Sequence, residues 1–216
     1  MRAPRPVTTG ALLLALALLV GACGPASATS VSAQGLEPGP DGWHGLPVEG
    51  AQTIPEGAFT TTAGRTVERS EAFRGTPTLL FFGYTSCPDI CPVHLAAIAS
   101  AMDTARVTQD ECDVEFNSVD PERDTPARIE AFLDNFSPRM HGLHADTEVV
   151  TAALDQLSLS GPVVEGADPR GDGDLIGHPA QVIGFDADGD IRRTWPFGAR
   201  RSDWVVDLPR IVEEWS

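Results

Sequence analysis

The chain of 216 residues contains no lysine, since every one of its 15 basic residues is an arginine. This absence excludes Schiff-base catalysis and the phosphate-binding loop that requires a Gly-Lys-Ser/Thr sequence. Basic residues are also few beside the 31 acidic ones, and the net charge is −16. Because nucleic acids and anionic lipid surfaces are bound by clustered cationic side chains, the composition argues against both as partners.

The start of the chain has no hydrophobic run long enough to span a membrane, but it does contain a shorter apolar run. Residues 11–20 are apolar and follow Arg2 and Arg5. A bilayer-spanning helix needs roughly 20 apolar residues, so this run is typical of a signal peptide instead. We therefore predict a signal peptide over residues 1–22.

The residues that end this segment, Val20-Gly21-Ala22-Cys23, resemble a bacterial lipoprotein cleavage box. In such signals the cysteine becomes the lipidated first residue of the mature protein. We expect lipidation at Cys23 and a lipid-anchored protein on the extracytoplasmic face of the bacterial cell membrane. A plain secretory signal cleaved nearby is the alternative.

The rest of the chain divides into a linker and one domain. Residues 23–50 begin with Cys23 and are rich in Gly, Pro, Ala and Ser, which predicts a flexible linker. Residues 51–216 are numerous enough to bury a core of their own. We expect this domain to be a monomer.

Hydrophobic patterning predicts an α/β domain. The apolar run over residues 78–84 is typical of a strand buried on both faces, and a helix, a second strand and a second helix follow it. A hairpin over residues 180–195 and a helix over residues 202–214 complete the order. This order indicates a thioredoxin-like fold, with a central mixed sheet flanked by helices. The glycine-rich residues 160–177 predict an extra hairpin or loop before the last hairpin.

The clearest chemical signal is Cys87-Pro88-Asp89-Ile90-Cys91-Pro92, which lies between the buried strand and a helix. Pro92 has no N–H and is predicted to be the first helical residue, with both thiols in the loop before it. The helix dipole there favours thiolates, which serve as redox groups or as soft-metal ligands. A structural disulfide is the alternative.

His178 is the candidate partner of the two cysteines. It precedes the strand of the last hairpin, and in a thioredoxin layout that loop lies beside the dithiol. Two thiolates and one imidazole suit copper in either oxidation state, Cu(I) or Cu(II), with one ion per chain. Zinc is a second option, and a surface or capping role for His178 is a third.

These motifs resemble the Sco/SenC family of copper-binding proteins of cytochrome c oxidase assembly. The matching residues are Phe81 to Pro92, the run from Ser118 to Pro126, and His178 with the strand and turn that follow it. The resemblance implies a copper site of Cys87, Cys91 and His178. It also implies that Asp120 lies near this site without binding the metal and helps to orient its ligands. It also implies a partner, the CuA domain of cytochrome c oxidase subunit II.

Three residues depart from the family pattern. Pro179 follows the ligand histidine, as in thioredoxins, and strengthens an oxidoreductase interpretation. His94 stands where the family usually has threonine, and we expect it to be an exposed helix histidine, with an alternative ligand as the second reading. Cys112 is an additional thiol that we expect to be buried or inert. The alternative is that it forms a disulfide with another molecule.

Three functions are compatible with this pattern. The first is an extracytoplasmic, membrane-tethered copper metallochaperone that assists maturation of the CuA centre. The second is an enzyme, a thiol-disulfide oxidoreductase that reduces a disulfide of the copper-receiving partner, in which Cys87 attacks the disulfide and Cys91 resolves the mixed disulfide. A metal-free dithiol sensor or structural lipoprotein is the third, which the motifs disfavour.

Overall fold

The computed structural model describes residues 35–137 and 139–216. The lipidation predicted at Cys23 and the signal peptide lie outside these residues. In chain order, the described elements are β1 (Leu46–Pro47), β2 (Ala58–Thr61), β3 (Thr66–Glu68), α1 (Arg69–Ala72), β4 (Thr78–Gly83), α2 (Ile90–Ala105), β5 (Asp113–Ser118), α3 (Pro126–Leu133), β6 (His141–His144), α4 (Thr147–Gln156), β7 (Val163–Ala167), β8 (Asp174–Gly177), β9 (Val182–Phe185), β10 (Ile191–Trp195) and α5 (Arg201–Trp215).

The core of the described chain is an eight-stranded sheet in the order β1-β10-β9-β4-β5-β6-β2-β3. Strands β4, β5 and β6 are parallel, whereas the pairs β4–β9 and β9–β10 are antiparallel. Helices α2 and α5 pack together, and α3 packs on β6. The predicted mixed sheet with flanking helices is confirmed. None of the helices in the described ranges combines the length and apolar character that a membrane span requires.

Strand β4 and helix α2 bring the two cysteines to the end of the sheet. Every residue of β4 is buried, as the continuous apolar run predicted. Helix α2 begins at Ile90 and is capped by Asp89, whose carboxylate accepts the Ile90 N–H. The prediction that Pro92 is the first helical residue is therefore wrong by two positions. A proline is tolerated there because the first N–H groups of a helix have no intrahelical acceptor.

A consequence of the earlier helix start is that Cys91 lies in the first turn of α2, and only Cys87 remains in the loop. Gly83 ends β4 directly beneath this turn. A Cβ at Gly83 would lie 2.7 Å from the Cys91 Sγ atom and 2.8 Å from the Phe116 ring. Only glycine therefore lets the first turn of α2 pack so closely on the sheet.

The glycine-rich insertion forms a hairpin of its own, as predicted. Strands β7 and β8 pair only with each other, antiparallel and with a register shift between Val164 and Gly166. The Tyr84 hydroxyl, next to the end of β4, accepts the Ile176 N–H of β8 at 3.2 Å. This contact fixes the strand that leads directly to His178.

Residues 35–47, which we call the N-terminal strap, belong to the predicted linker but pack on the domain. Trp43 is buried and stacks on Trp215, with ring centroids 5.4 Å apart. Strand β1 adds to the edge of the sheet beside β10. Trp43 and the two residues of β1 therefore contribute to the docking of the strap.

Asp207 of α5 holds the strap in place. Its fully buried carboxylate accepts the backbone N–H groups of His44 and Gly45, the latter at 2.9 Å. It also accepts the indole N–H of Trp195 at 2.8 Å. One carboxylate thus joins the strap, strand β10 and the last helix.

Candidate metal centre

Three side chains predicted to act together converge beyond the carboxyl end of β4. The Nε2 atom of His178 lies 3.5 Å from the Cys91 sulfur and 3.9 Å from the Cys87 sulfur. All three ligand atoms lie within 4.8 Å of one another. The arrangement offers two sulfurs and one imidazole nitrogen to a single ion. Both cysteines are free thiols, so the structural disulfide considered from sequence is absent here.

The two thiols differ in acidity. Hydrogen bonding from the Cys91 thiol, and further bonds from His178 and the Cys91 N–H, lower the pKa of Cys87 to about 4. Burial raises the pKa of Cys91 well above its ordinary value. At neutral pH, Cys87 is therefore a thiolate and Cys91 a thiol. One activated sulfur, that of Cys87, thus stands where the sequence predicted thiolates at both cysteines.

The orientation of His178 is set by its own neighbours. Its Nδ1 atom lies 2.9 Å from the Pro179 carbonyl oxygen, which only accepts, so Nδ1 carries the proton. Its Nε2 atom faces both sulfurs. The rings of Phe81 and Tyr84 contact the imidazole edge-on, at 6.0 and 5.7 Å between centroids. No cis peptide bond occurs in the described ranges, so the bond before Pro179 is trans.

Asp120 lies in the loop that follows β5. Its carboxylate pairs with the Arg123 guanidinium, and burial raises the pKa of Asp120. Arg123 in turn donates to the carbonyl oxygens of Asp172 and Asp174, at 2.7 and 2.8 Å. Asp174 begins β8, four positions before His178, and Asp172 lies just ahead of that strand. Asp120 is thus connected to the candidate ligands through Arg123 and the hairpin.

A second carboxylate, Asp124, holds the cysteine loop and was missed by the sequence reasoning. It is fully buried and accepts the backbone N–H and the hydroxyl of Thr85, at 2.9 and 2.5 Å. The Ser118 hydroxyl donates to it as well, at 2.7 Å. The signal was present in the quoted motif, because Asp124 stands four residues after Asp120, but its partners are distant in sequence.

Two arginines complete the support of this loop. Arg128 donates to the Ser86 hydroxyl at 2.8 Å, and Arg170 of the β7–β8 hairpin donates to the Ser86 carbonyl at 2.6 Å. The loop before Cys87 is therefore held from the sheet, from α3 and from the hairpin. Such second contacts orient ligands and adjust the affinity of a site.

His94 and Cys112 do not join the three candidate ligands. His94 is only 1 % exposed and packs between Phe81 and Phe197, so the expectation of an exposed helix histidine is wrong. It lies on the inner face of α2, and burial lowers its pKa to about 4. Cys112 is fully buried, as predicted, and burial raises its pKa.

The sequence of this chain is similar to one protein-family model and to several known proteins. The family model described as SCO1/SenC matches residues 48–213. Protein SenC of Rhodobacter capsulatus is 34 % identical over 110 residues, which cover 51 % of this chain and 48 % of that protein. The mitochondrial SCO2 homolog of Bos taurus is 32 % identical over 162 residues, which cover 73 % of this chain and 59 % of that protein. The chain spans about half the length of the curated relatives it matches.

Solved structures show the same fold. The copper-bound structure of ScoI from Bradyrhizobium japonicum is 29 % identical with a TM-score of 0.63, and the match covers 74 % of this chain and 99 % of that chain. The apo Sco1 protein of Thermus thermophilus is 26 % identical with a TM-score of 0.64, over 78 % and 96 % of the two chains. With the family match extending over most of its length, this chain belongs to the SCO1/SenC family.

Proposed function

We propose that this protein is a copper metallochaperone that serves the assembly of cytochrome c oxidase. The observation that carries the proposal is the convergence of Cys87, Cys91 and His178, whose ligand atoms lie within 4.8 Å of one another. Thiolate sulfur favours Cu(I) and imidazole nitrogen accepts Cu(II), so the donor set fits copper in both states. Relatives in the same family are known as copper-bound structures, which supports the choice of metal.

Copper is the cargo of this protein, and the residues around the site fit its transfer. His178 is only partly buried, and a cavity of about 500 Å³ adjoins it, lined by the hairpin and the loop after α4. A three-ligand site with an open side admits an incoming ligand from a receiving protein. The receiving centre proposed here is CuA of oxidase subunit II, with its paired cysteines.

The proposed location is the extracytoplasmic face of the bacterial cell membrane, with a lipid on Cys23 as the anchor. The support comes from the sequence that precedes and includes Cys23. Labelling cells with a radioactive fatty acid tests it. The label should enter the wild-type protein and be lost in Cys23→Ser, and equal labelling of both would contradict the anchor.

The copper proposal is tested by anaerobic titration of the reduced protein with copper. We expect one tight equivalent, with thiolate-to-Cu(II) absorption that the His178→Ala variant loses. His144→Ala is the matched control, because His144 is also partly buried and contacts the Pro121 carbonyl oxygen, outside the ligand group. Equal copper affinity in wild type and His178→Ala would overturn the three-ligand site.

A second function, thiol-disulfide exchange, is favoured by the unequal thiols. The Cys87 thiolate would attack a disulfide of the partner and release one partner thiolate, and Cys91 would then attack the mixed disulfide and release the other. The chain would be left with a Cys87–Cys91 disulfide and the partner with two thiols. Reduction of a partner by His178→Ala at the wild-type rate, together with absent copper binding by the wild type, would favour this function.

A further inference from the structure

A second group of potential metal ligands lies at the opposite end of the strands from the cysteines. Asp113 begins β5, Glu115 follows two residues later on the same face, and His141 begins the neighbouring strand β6. The parallel register places Glu115 directly beside His141. The cysteines follow the other end of β4, so the two groups are separate.

The three side chains converge on one nitrogen. The Nδ1 atom of His141 lies 3.1 Å from a Glu115 carboxylate oxygen and 3.2 Å from an Asp113 carboxylate oxygen. Their ligand atoms all lie within 4.8 Å of one another. One N–H group shared between two carboxylates forms a three-centre hydrogen bond, whereas a cation held between the three groups contacts all of them directly.

The second oxygen of Glu115 is the observation that points to a ligand. The Glu115 side chain is only 2 % exposed, and its Oε2 atom has no hydrogen-bond partner. A buried carboxylate oxygen without a partner is costly, so such atoms are rare in folded proteins. Glu115 lines a cavity of about 220 Å³ together with Asp113 and His141, which leaves room for an ion and water.

The nearby arginines do not provide the missing partner of the Glu115 Oε2 atom. The buried Arg69 guanidinium donates to Asn117 and stacks on the Phe59 ring, 3.6 Å from its centroid, and its Nε and Nη1 atoms have no partner. Arg65 lines the same cavity with an exposed side chain. Among the groups that surround Glu115 in the described chain, no arginine hydrogen-bonds to its free oxygen.

We propose that Asp113, Glu115 and His141 form a second metal site, which takes a divalent ion of borderline hardness such as Zn²⁺. One imidazole and two carboxylates, with water completing the shell, suit such an ion, whereas Cu(I) prefers sulfur. His141 is half exposed and gives the ion a path to the buried Glu115. The Gln109 side-chain amide contacts the far nitrogen of the ring.

The test is a titration with Zn²⁺ and with Co²⁺ of the Cys87→Ser/Cys91→Ser protein, in which the thiolate site is lost. We expect one equivalent of either metal, with Co²⁺ ligand-field absorption and no thiolate charge-transfer band. This background also separates the second site from the proposed copper function, because the outcome of one does not depend on the other.

Two variants then assign the ligands. His141→Asn and Asp113→Asn, added separately to this background, should each weaken Zn²⁺ binding by more than about 100-fold, since loss of an outer contact alone costs up to that much. His144→Asn, on the same strand, is the matched control and should bind as the parent does. Absence of Zn²⁺ binding in the parent, or unchanged binding in both variants, would overturn the proposal and leave a hydrogen-bonded carboxylate–imidazole cluster.

Discussion

The two cysteines of the candidate copper site are not equivalent. Cys87 is the more exposed of the two, at 8 % against 0 %, and it alone has a pKa below neutrality. The Cys91 N–H points at its sulfur over 3.5 Å from the first turn of α2. The helix end therefore stabilises the outer sulfur as a thiolate, and burial keeps the inner one protonated until a metal replaces its proton.

This asymmetry predicts selective alkylation of the metal-free protein. Iodoacetamide should modify Cys87 first, at a rate that stays nearly constant from pH 8 to about pH 5, because its thiolate persists down to a pKa of about 4. An ordinary thiol loses about tenfold in rate per pH unit below its pKa of roughly 8.5. Mass spectrometry of the labelled peptides measures both rates.

Cys112 provides the internal control for this experiment, since it is fully buried and burial raises its pKa. It should stay unlabelled in the folded protein at every pH and react only after denaturation. A Cys87 rate that falls tenfold between pH 8 and pH 7 would show that this thiol is not activated.

Asp120 is expected to influence copper through Arg123. Asp120→Asn keeps the size of the side chain but removes the charge that pairs with Arg123, so the start of β8 is held less firmly. Copper affinity, measured by competition with a chelator, should fall by about tenfold. Arg123→Ala should cause a similar loss, and the double variant should be no weaker than either single one.

Glu122→Gln is the control for this pair, because Glu122 is exposed and lies between the two residues in sequence. Its affinity should equal that of the wild type. Additive losses in the double variant would mean that Asp120 and Arg123 act on the site independently.

The candidate ligands could be predicted from sequence, while most of the residues that hold them in place could not. Cys87 and Cys91 lie within one short motif whose spacing places them at a strand-to-helix loop, and His178 could be assigned by its place before a strand. Asp124 gave no such sign, since its role depends on Thr85, about forty residues earlier. His94 was misjudged because a polar residue on a helix is usually exposed.

At the scale of elements, the β7–β8 hairpin positions His178, which directly follows β8. The hairpin pairs with no strand of the main sheet and is tied to it by Tyr84, Arg123 and Arg170. Composition predicted an insertion over residues 160–177 but not these ties, because glycine-rich sequence shows where a chain turns and not which side chains hold it.

Tyr84→Phe tests the contact between Tyr84 and the hairpin. The ring that contacts His178 remains, while the hydroxyl that accepts the Ile176 N–H is lost. The loss of one hydrogen bond worth about 1 kcal/mol should increase hydrogen exchange of the Ile176 amide about fivefold. The Ile183 amide in β9 serves as the reference and should exchange as in the wild type. Unchanged protection of Ile176 would show that the hairpin is held without Tyr84.

Asp207 of α5 accepts several of the hydrogen bonds that hold the N-terminal strap. Asp207→Ala removes the acceptor of the N–H groups of Gly45 and Trp195 and leaves those donors buried. The free energy of unfolding should fall by about 3 kcal/mol, as expected when hydrogen bonds to a buried charge are lost. Urea denaturation measures it. Glu213→Ala, an exposed position on the same helix, should change it by less than about 0.5 kcal/mol, and an equal loss in both variants would contradict the role of Asp207.

At the scale of the whole molecule, copper should stabilise the fold. A ligand that binds the folded state only, at a free concentration 100 times its Kd, adds about 2.7 kcal/mol to the free energy of unfolding. For a chain of this length that corresponds to an increase in Tm of roughly 5–10 °C. Calorimetry of the reduced protein with Cu(I) measures it. The Cys87→Ser/Cys91→Ser variant should show no such increase, and an equal increase in that variant would place the binding elsewhere.

The way the strap is fastened determines where mechanical force enters the domain. Tension applied to the chain ahead of residue 35 acts first on the Leu36 N–H bond to Asp203, then on the Trp43 stack and the Asp207 bonds. The residues that receive these contacts, Asp203, Trp215 and Asp207, all lie in α5. None of them lies in the loops that hold Cys87 or His178. A pull on the chain ahead of residue 35 therefore reaches α5 and β10 before the loops that hold Cys87 and His178.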